Sequence, residues 1–433
     1  MRKLLMAGAA CVTGLFGMAG FGTADAAQLY SLSNAPMALA APKAQSPAPG
    51  QVVVNLDMRI NAYVEGNWNT GNHGAAGFKS DPLGIVGYGR LYLGVNGQAL
   101  NGLKYGLFME IRENNQTVSG SASDLSSGAS AGSGTGTLFW RRNYVYVGTD
   151  QVGTMRLGQT DGPYTLMTVG EFDDFGTGGW DGDLPAGFGP IWPWADVGNV
   201  YTTGKIVYLS PALAGFDFGI SYEPSTANMA VGFNNQAFVS TTPLPADLSR
   251  RRNTIEAAIR YRGAFSGVGI ATNLSGMFGG HTNASFANPG INGVTKFQDI
   301  ALGDFGLALT FAGVTFGGNV EWGHMNGQFA VQPDGGSNAI AWIGGAEWTG
   351  GPLTVGAAYF QYQYQGTPGI PTQRRDSGFQ AGLNYNIAPG LQFIAEYIWG
   401  NSRQNAGVDF NGDSHARFYQ QEQALGAGFQ LRW

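Results

Sequence analysis

From Val52 to Trp433 apolar and polar residues alternate with a period of two, segment after segment, and residues 27–433 contain no run of about 18 apolar residues that could form a membrane helix. Successive side chains of a strand point to opposite faces, so such a segment has one apolar and one polar face. Val52, Val54, Leu56, Met58, Ile60, Ala62 and Val64 share one face, against Asn55, Asp57, Arg59, Asn61 and Glu65 on the other. The pattern returns in Leu103–Arg112, Phe216–Glu223, Ile255–Arg262, Val314–Trp322, Phe379–Ile387 and Phe393–Trp399. A single segment of this kind fits a soluble sandwich, with the apolar face in a core. Repetition over the whole chain fits a membrane barrel, with that face turned to lipid.

Connection lengths sharpen the choice. Short links (Gln98–Gly102, Pro211–Gly215, Gly263–Gly267, Ala312–Gly313, Thr349–Gly351, Ala388–Gly390) alternate with long ones, among them Gly66–Pro82, Asn115–Gly136, Thr160–Asn199 and Pro224–Arg252. Transmembrane barrels sort their loops this way, tight on the periplasmic side and long outside. The spacing predicts 16 strands, near 51–65, 84–97, 102–114, 137–149, 153–159, 200–210, 216–223, 253–262, 267–277, 298–311, 314–325, 338–348, 352–364, 375–387, 391–401 and 418–433. The expected fold is all-β, a transmembrane antiparallel up-and-down barrel. Composition agrees: 70 glycines, 12% aromatic residues and only 12% charged ones, against about 25% charged in a soluble domain. The competing class is a large secreted β-protein such as a β-helix or adhesin.

The N-terminus reads as a secretory signal over residues 1–26. Arg2 and Lys3 precede an apolar stretch, and Ala24-Asp25-Ala26 offers cleavage before Ala27. The only cysteine, Cys11, lies inside it, so the mature chain is expected to form no disulfide or thiolate metal site. Residues 27–50, rich in Ala and Pro, read as an extended periplasmic leader, and 51–433 as the barrel. The formal charge of −6 becomes one unit more negative without Arg2, Lys3 and Asp25, which argues against nucleic acid as a partner.

A barrel of about 16 strands is too wide for side chains alone to fill. The longest link, Thr160–Asn199, carries Asp161, Glu171, Asp173, Asp174, Asp181, Asp183 and Asp196 with no Lys or Arg. It also holds Phe172, Phe175, Trp180, Phe188, Trp192 and Trp194, too much apolar surface to stay in water. The loop is therefore expected to fold into the lumen. Arg59, Arg90, Arg112 and Arg156 sit on polar faces of early strands and would form a basic wall opposite it. Arg142 is placed with them; the neighbouring Arg141 has the opposite parity, which leaves that strand's register open. Acids facing arginines across a gap set up a transverse field that selects solutes by charge and dipole.

The segments LKYGLFMEIREN (Leu103–Asn114), LFWRRNYVYVG (Leu138–Gly148) and GTMRLGQTDG (Gly153–Gly162) resemble the trimeric general diffusion porins of Gram-negative bacteria, of the alphaproteobacterial type. The terminal strand, with Leu425, Ala427, Phe429, Leu431 and Trp433 on one face, resembles the C-terminal strand that outer-membrane assembly machinery reads. The resemblance implies a 16-stranded barrel in the outer membrane, a homotrimer, and a third loop acting as the constriction. It assigns that role to Thr160–Asn199, the basic cluster to Arg59, Arg90, Arg112, Arg142 and Arg156, and the assembly signal to Phe429, Leu431 and Trp433. It gives Asn115–Gly136 the place of a loop that latches onto a neighbouring subunit.

Chemistry beyond passage is thinly supported. His73, His281, His324 and His415 show no metal-ligand spacing. Asp413, Ser414 and His415 are neighbours in one loop, which is no triad geometry. The loop carboxylates could bind Ca²⁺, though a solvated acidic lining is the simpler account. No cofactor is implied. The function expected is a water-filled channel for passive diffusion of ions and small hydrophilic solutes. The alternatives are a channel selective for sugars or anions, and a barrel with enzymatic or adhesive function.

Overall fold

The computed structural model describes residues 46–70, 82–114, 137–172, 174–178, 202–225, 250–282, 296–326, 332–366, 372–405, 407–408, 414–415 and 418–433. The expected signal peptide, most of the leader and all of the loop Asn115–Gly136 lie outside the described residues.

The strands are β1 (Gln51–Asn69), β2 (Leu83–Gln98), β3 (Lys104–Asn114), β4 (Thr137–Thr149), β5 (Gly153–Thr160), β6 (Thr203–Leu209), β7 (Phe216–Ser225), β8 (Arg250–Phe265) and β9 (Val268–Thr282). They continue as β10 (Ile300–Phe311), β11 (Val314–Gly323), β12 (Ala339–Gly350), β13 (Leu353–Tyr364), β14 (Arg374–Ala388), β15 (Leu391–Gln404), β16 (Gly407–Val408), β17 (Ser414–His415) and β18 (Phe418–Arg432). A short helix, α1 (Pro163–Leu166), follows β5. Every strand except β16 and β17 belongs to one closed antiparallel barrel, each pairing with its chain neighbours. Closure is made by β1 against β18, with Ile60 opposite Leu431 and Ala62 opposite Phe429.

All sixteen expected strands are present. Four run three or more residues beyond their expected ends on the long-loop side: β1 to Asn69, β8 from Arg250, β9 to Thr282 and β15 to Gln404. Above the membrane band both strand faces meet water, so the alternation fades while the hydrogen-bond ladder continues. The β16–β17 ribbon and α1 were not expected, because elements of two to four residues carry no periodic signal. Two of the tight turns, Ser266-Gly267 and Ala312-Gly313, put both residues at positive φ (50° and 82° in each). That is the two-residue hairpin geometry that matches strand twist, and glycine tolerates its second position without strain.

The barrel is inside-out. Val54 is 63% exposed and Leu56 66%, while Glu110 and Asp304 are fully buried. Phe216, Phe218, Ile220 and Tyr222 continue the exposed apolar face, and Arg59, Asn61, Asn273, Gln380 and Gln430 the buried polar one. An apolar surface this continuous is not tolerated in water, and hydrocarbon is the medium that accommodates it. Closing the sheet leaves no strand edge to face lipid with unpaired backbone groups.

Candidate functional site

The lumen is shaped by the chain that leaves β5. Residues 161–172 and 174–178 run around the inner wall from the foot of β7 to β15, held at each step by a polar side chain that points inward. The Tyr164 backbone N–H donates to Glu256 of β8 (3.2 Å), and its hydroxyl donates to Glu321 of β11 (2.8 Å). The Val169 N–H donates to Asn273 of β9 (3.0 Å), and its carbonyl accepts from Asn319 of β11 (3.2 Å). Gln380 of β14 donates to the Phe172 carbonyl (2.7 Å). Thr177 closes the path, its N–H and hydroxyl both donating to Glu396 of β15 (2.8 and 2.6 Å). The described part of the third loop, 161–172 and 174–178, is thus folded into the barrel, as its acid-and-aromatic composition leads one to expect. Burial raises the Tyr164 hydroxyl well above its usual range, and Glu321 and Asp304 add to the effect, so it remains a donor.

Apolar contacts complete the attachment. Tyr164, Phe172 and Phe175 join a buried cluster with Ile300, Ile343, Phe360 and Tyr362 of the wall. Each fully buried ring contributes about 2 kcal/mol. Glycines on the wall make room for the loop: a Cβ at Gly356 of β13 would lie 2.1 Å from the Phe175 ring. Replacing Gly356 with Val is therefore expected to push the loop end off the wall into the lumen and lower single-channel conductance. Unchanged conductance in a folded variant would refute that packing.

At the loop's root stands a buried ion-pair hub. Arg142 of β4 donates from Nε (2.5 Å) and Nη2 (3.1 Å) to Asp161, and from Nη1 to Glu110 of β3. Arg112 also donates to Glu110 (2.5 Å), with Arg141 at 3.4 Å. Burial by itself raises the Asp161 carboxyl, but Arg142, with Arg141 and Lys205, outweighs it and holds the group below the ordinary carboxylate range. Asp161 therefore does not stand across a gap from the arginines, as expected from the sequence; it is bonded to one of them. The open register of β4 is resolved by a bulge: Glu110 pairs with Arg142 and Ile111 with Trp140, leaving Arg141 as the extra residue. Arg141 and Arg142 are both buried as a result.

The remaining arginines fall into a row. Arg59 lies opposite Arg90, Arg90 opposite Arg112, and Arg432 of the last strand opposite Arg59. Four neighbouring strands, β18, β1, β2 and β3, thus present guanidiniums at one level, in the sector that the described loop leaves uncovered. Arg432 is bonded to Asp57 (3.0 Å) and Arg59 to Asn61 (3.3 Å). Arg156 stands apart, buried over the Tyr144 ring at 5.1 Å. Nothing local in the sequence places Arg432 in the basic wall, because only closure of the barrel sets it beside Arg59. Of the other loop acids, Glu171 and Asp174 are partly buried. Asp173, Asp181 and Asp183 lie outside the described residues, as does Asp413.

Among the described residues no group of three or more His, Cys, Asp or Glu is arranged to hold a metal ion. At the periplasmic end of the last strand pair, Trp433 exchanges both backbone hydrogen bonds with Met58 (2.7 and 3.0 Å). Phe429 and Trp433 turn outward, 47% and 55% exposed, and Leu431 shares their face.

Comparison with known proteins agrees with this architecture. The chain is similar in fold to an anion-selective porin from Comamonas acidovorans (16% identity, 88% of this chain and 100% of that one, TM-score 0.55). It is also similar to the outer membrane channel DcaP of Acinetobacter baumannii (13%, 90% and 100%, TM-score 0.54) and to a loop L8 deletion mutant of OmpT of Vibrio cholerae (12%, 88% and 99%, TM-score 0.52). No curated protein matches the chain. A family model described as Gram-negative porin matches residues 26–405. With its closed inside-out barrel and a match over most of its length, this protein belongs to the Gram-negative porin family and is an outer-membrane diffusion channel.

Proposed function

We propose that the channel carries ions and small hydrophilic solutes passively, as a homotrimer and without enzymatic activity, through a lumen narrowed by the third loop. The observation that carries this reading is the described part of the loop, hydrogen-bonded to inward side chains from β8 to β15 while the arginine row of β18, β1, β2 and β3 lines the sector that this part leaves uncovered. Water and solutes would pass between the two. The acids Asp173, Asp174, Asp181 and Asp183 complete the field from the loop side, with Arg59, Arg90, Arg112 and Arg432 as the basic wall, while Arg142 holds the loop root and Arg156 packs on Tyr144. Phe429, Leu431 and Trp433 serve assembly, and residues 1–26 export.

Planar-bilayer recording is the test. Large, steady conductance in three steps supports a trimer of open pores, and absence of conductance refutes the channel reading. Replacing Asp173, Asp174 and Asp181 together with Asn is expected to shift the reversal potential in a salt gradient toward anions. An unchanged potential would take the loop acids out of the pore.

One observation favours a second reading, an anion-preferring channel. Asp161 is neutralised by Arg142, and Glu256, Glu321 and Glu396 are engaged in holding the loop, so these four acids face the loop rather than the passage. The similar Comamonas acidovorans protein is an anion-selective porin. The sign of the wild-type reversal potential separates the two.

A further inference from the structure

The outward face of β13, β14, β15 and β18 is layered. One register row reads Tyr359, Phe379, Trp399 and Gln423. Two residues nearer the long-loop end lies an uncharged polar row, Gln361, Ser377, Asn401 and Gln421, where Asn401 donates to Ser377 (3.1 Å). Two residues farther stand Gln363, Arg375, Arg403 and Tyr419. The third row lies about 13 Å along the strands from the aromatic one, or about 10 Å along the membrane normal at a tilt near 40°. Aromatic rings mark the membrane–water boundary, so the arginine row sits at the depth of headgroups.

Arg375 and Arg403 are directly opposite each other on β14 and β15. Like charges in that position repel and destabilise a sheet. Among the described residues no acid relieves it. The acids of these four strands, Asp376, Glu396 and Glu422, all have the inward parity and are buried. Asp376 is already engaged by Tyr364 (2.6 Å) and Arg374 (3.4 Å). Neither Arg375 nor Arg403 makes a side-chain hydrogen bond or ion pair with any described residue, whereas Arg142, Arg251, Arg260 and Arg432 of the lumen all do. Arg403 is exposed and Arg375 partly so.

We propose that Arg375 and Arg403 form a clamp for the phosphate of an outer-leaflet lipid headgroup. A guanidinium binds phosphate through paired N–H donors, and two side by side offer a fork on each flank of one phosphate. The lipid's chains then lie on the aromatic row and the apolar face below it. The clamp is on the outside of the barrel, so it acts on anchoring in the leaflet and not on conduction.

The test uses the purified full barrel in detergent, titrated with bisphosphorylated lipid A and read by native mass spectrometry. Arg375→Gln/Arg403→Gln is expected to weaken lipid A binding by about tenfold or more, with single-channel conductance unchanged. Zwitterionic phosphatidylcholine should bind both forms equally and weakly, and millimolar inorganic phosphate should not displace lipid A from the wild type. Arg375→Lys/Arg403→Lys, which keeps charge but loses the fork, should fall between, and serves if the glutamine pair folds poorly. Equal lipid A binding by wild type and both variants overturns the proposal. Displacement by inorganic phosphate reassigns the pair to free anions, and a change in oligomeric state with lipid binding intact reassigns it to a protein contact; either result also overturns it.

Discussion

Deletion of Trp433 is expected to remove most of the correctly closed barrel from the outer membrane, while the molecules that do insert conduct normally. Trp433 ends the last strand by exchanging two backbone hydrogen bonds with Met58 of the first, at the seam that closes the sheet. Losing them leaves the Met58 N–H and C=O unpaired along a strand whose outer face is apolar. Each bond contributes about 1 kcal/mol, and an unpaired group in hydrocarbon costs several more. Since about 1.4 kcal/mol is a factor of ten in an equilibrium, a loss of the closed form by tenfold or more follows. The outward ring, shared with Leu431 and Phe429, adds an interfacial anchor. The fraction of folded protein in outer-membrane extracts, read by heat-modifiable gel migration, measures it. Trp433→Ala separates the two terms, since it keeps the backbone pair and loses only the ring. Wild-type levels of closed barrel after deletion would show that the seam does not depend on this residue.

Replacing Arg142 with Met is expected to cost about 3–5 kcal/mol, because it leaves buried partners without their cation. Arg142 bonds both Asp161 and Glu110, so one substitution frees the root of the third loop and a wall acid together. Channel records should become noisy, and thermal unfolding should move to lower temperature. The pH dependence has a definite sign. The Asp161 carboxyl is held below its ordinary range in the folded wild type, so its contribution is present above the unfolded value of about 3.9 and is lost as pH falls through the folded value. Without Arg142, the burial that raises Asp161 is less opposed, and protonation relieves the variant. The difference in melting temperature between wild type and variant should therefore be largest near pH 7 and shrink below about pH 4. A difference that stays constant from pH 7 to pH 3 would show that Asp161 and Arg142 are not coupled.

Period-two alternation is a local property, and it placed every one of the sixteen barrel strands. It could not place the long-loop ends of β1, β8, β9 and β15, where the ladder outlasts the membrane and neither face is under pressure to be apolar. The lumenal site was legible as to its materials: an acidic, aromatic third loop and arginines on polar strand faces. Its arrangement was only partly so. Asp161 read as a lining acid and is an anchor, because the loop turns back onto β4 at its first residue. Arg141 has the wrong parity for the lumen until a bulge adds a residue to β4. Wall residues that carry the loop, Glu256, Glu321, Gln380 and Glu396, look in the sequence like any other inward polar position.

The sequence by itself determined which face of each strand meets lipid and which meets the lumen, how the connections sort, and that the long loop needs a surface to cover. These follow from side-chain chemistry at fixed spacing along one segment. Only the tertiary structure decided which residues stand beside one another. Closing the barrel through β1 and β18 brings Arg432, near the end of the chain, next to Arg59, near its start. The register of β14 on β15 sets Arg375 against Arg403, and the inward fold of the loop carries it from β5 across to Glu396. Cross-strand register and the path of a loop depend on contacts between segments far apart in the chain, and no local pattern encodes them.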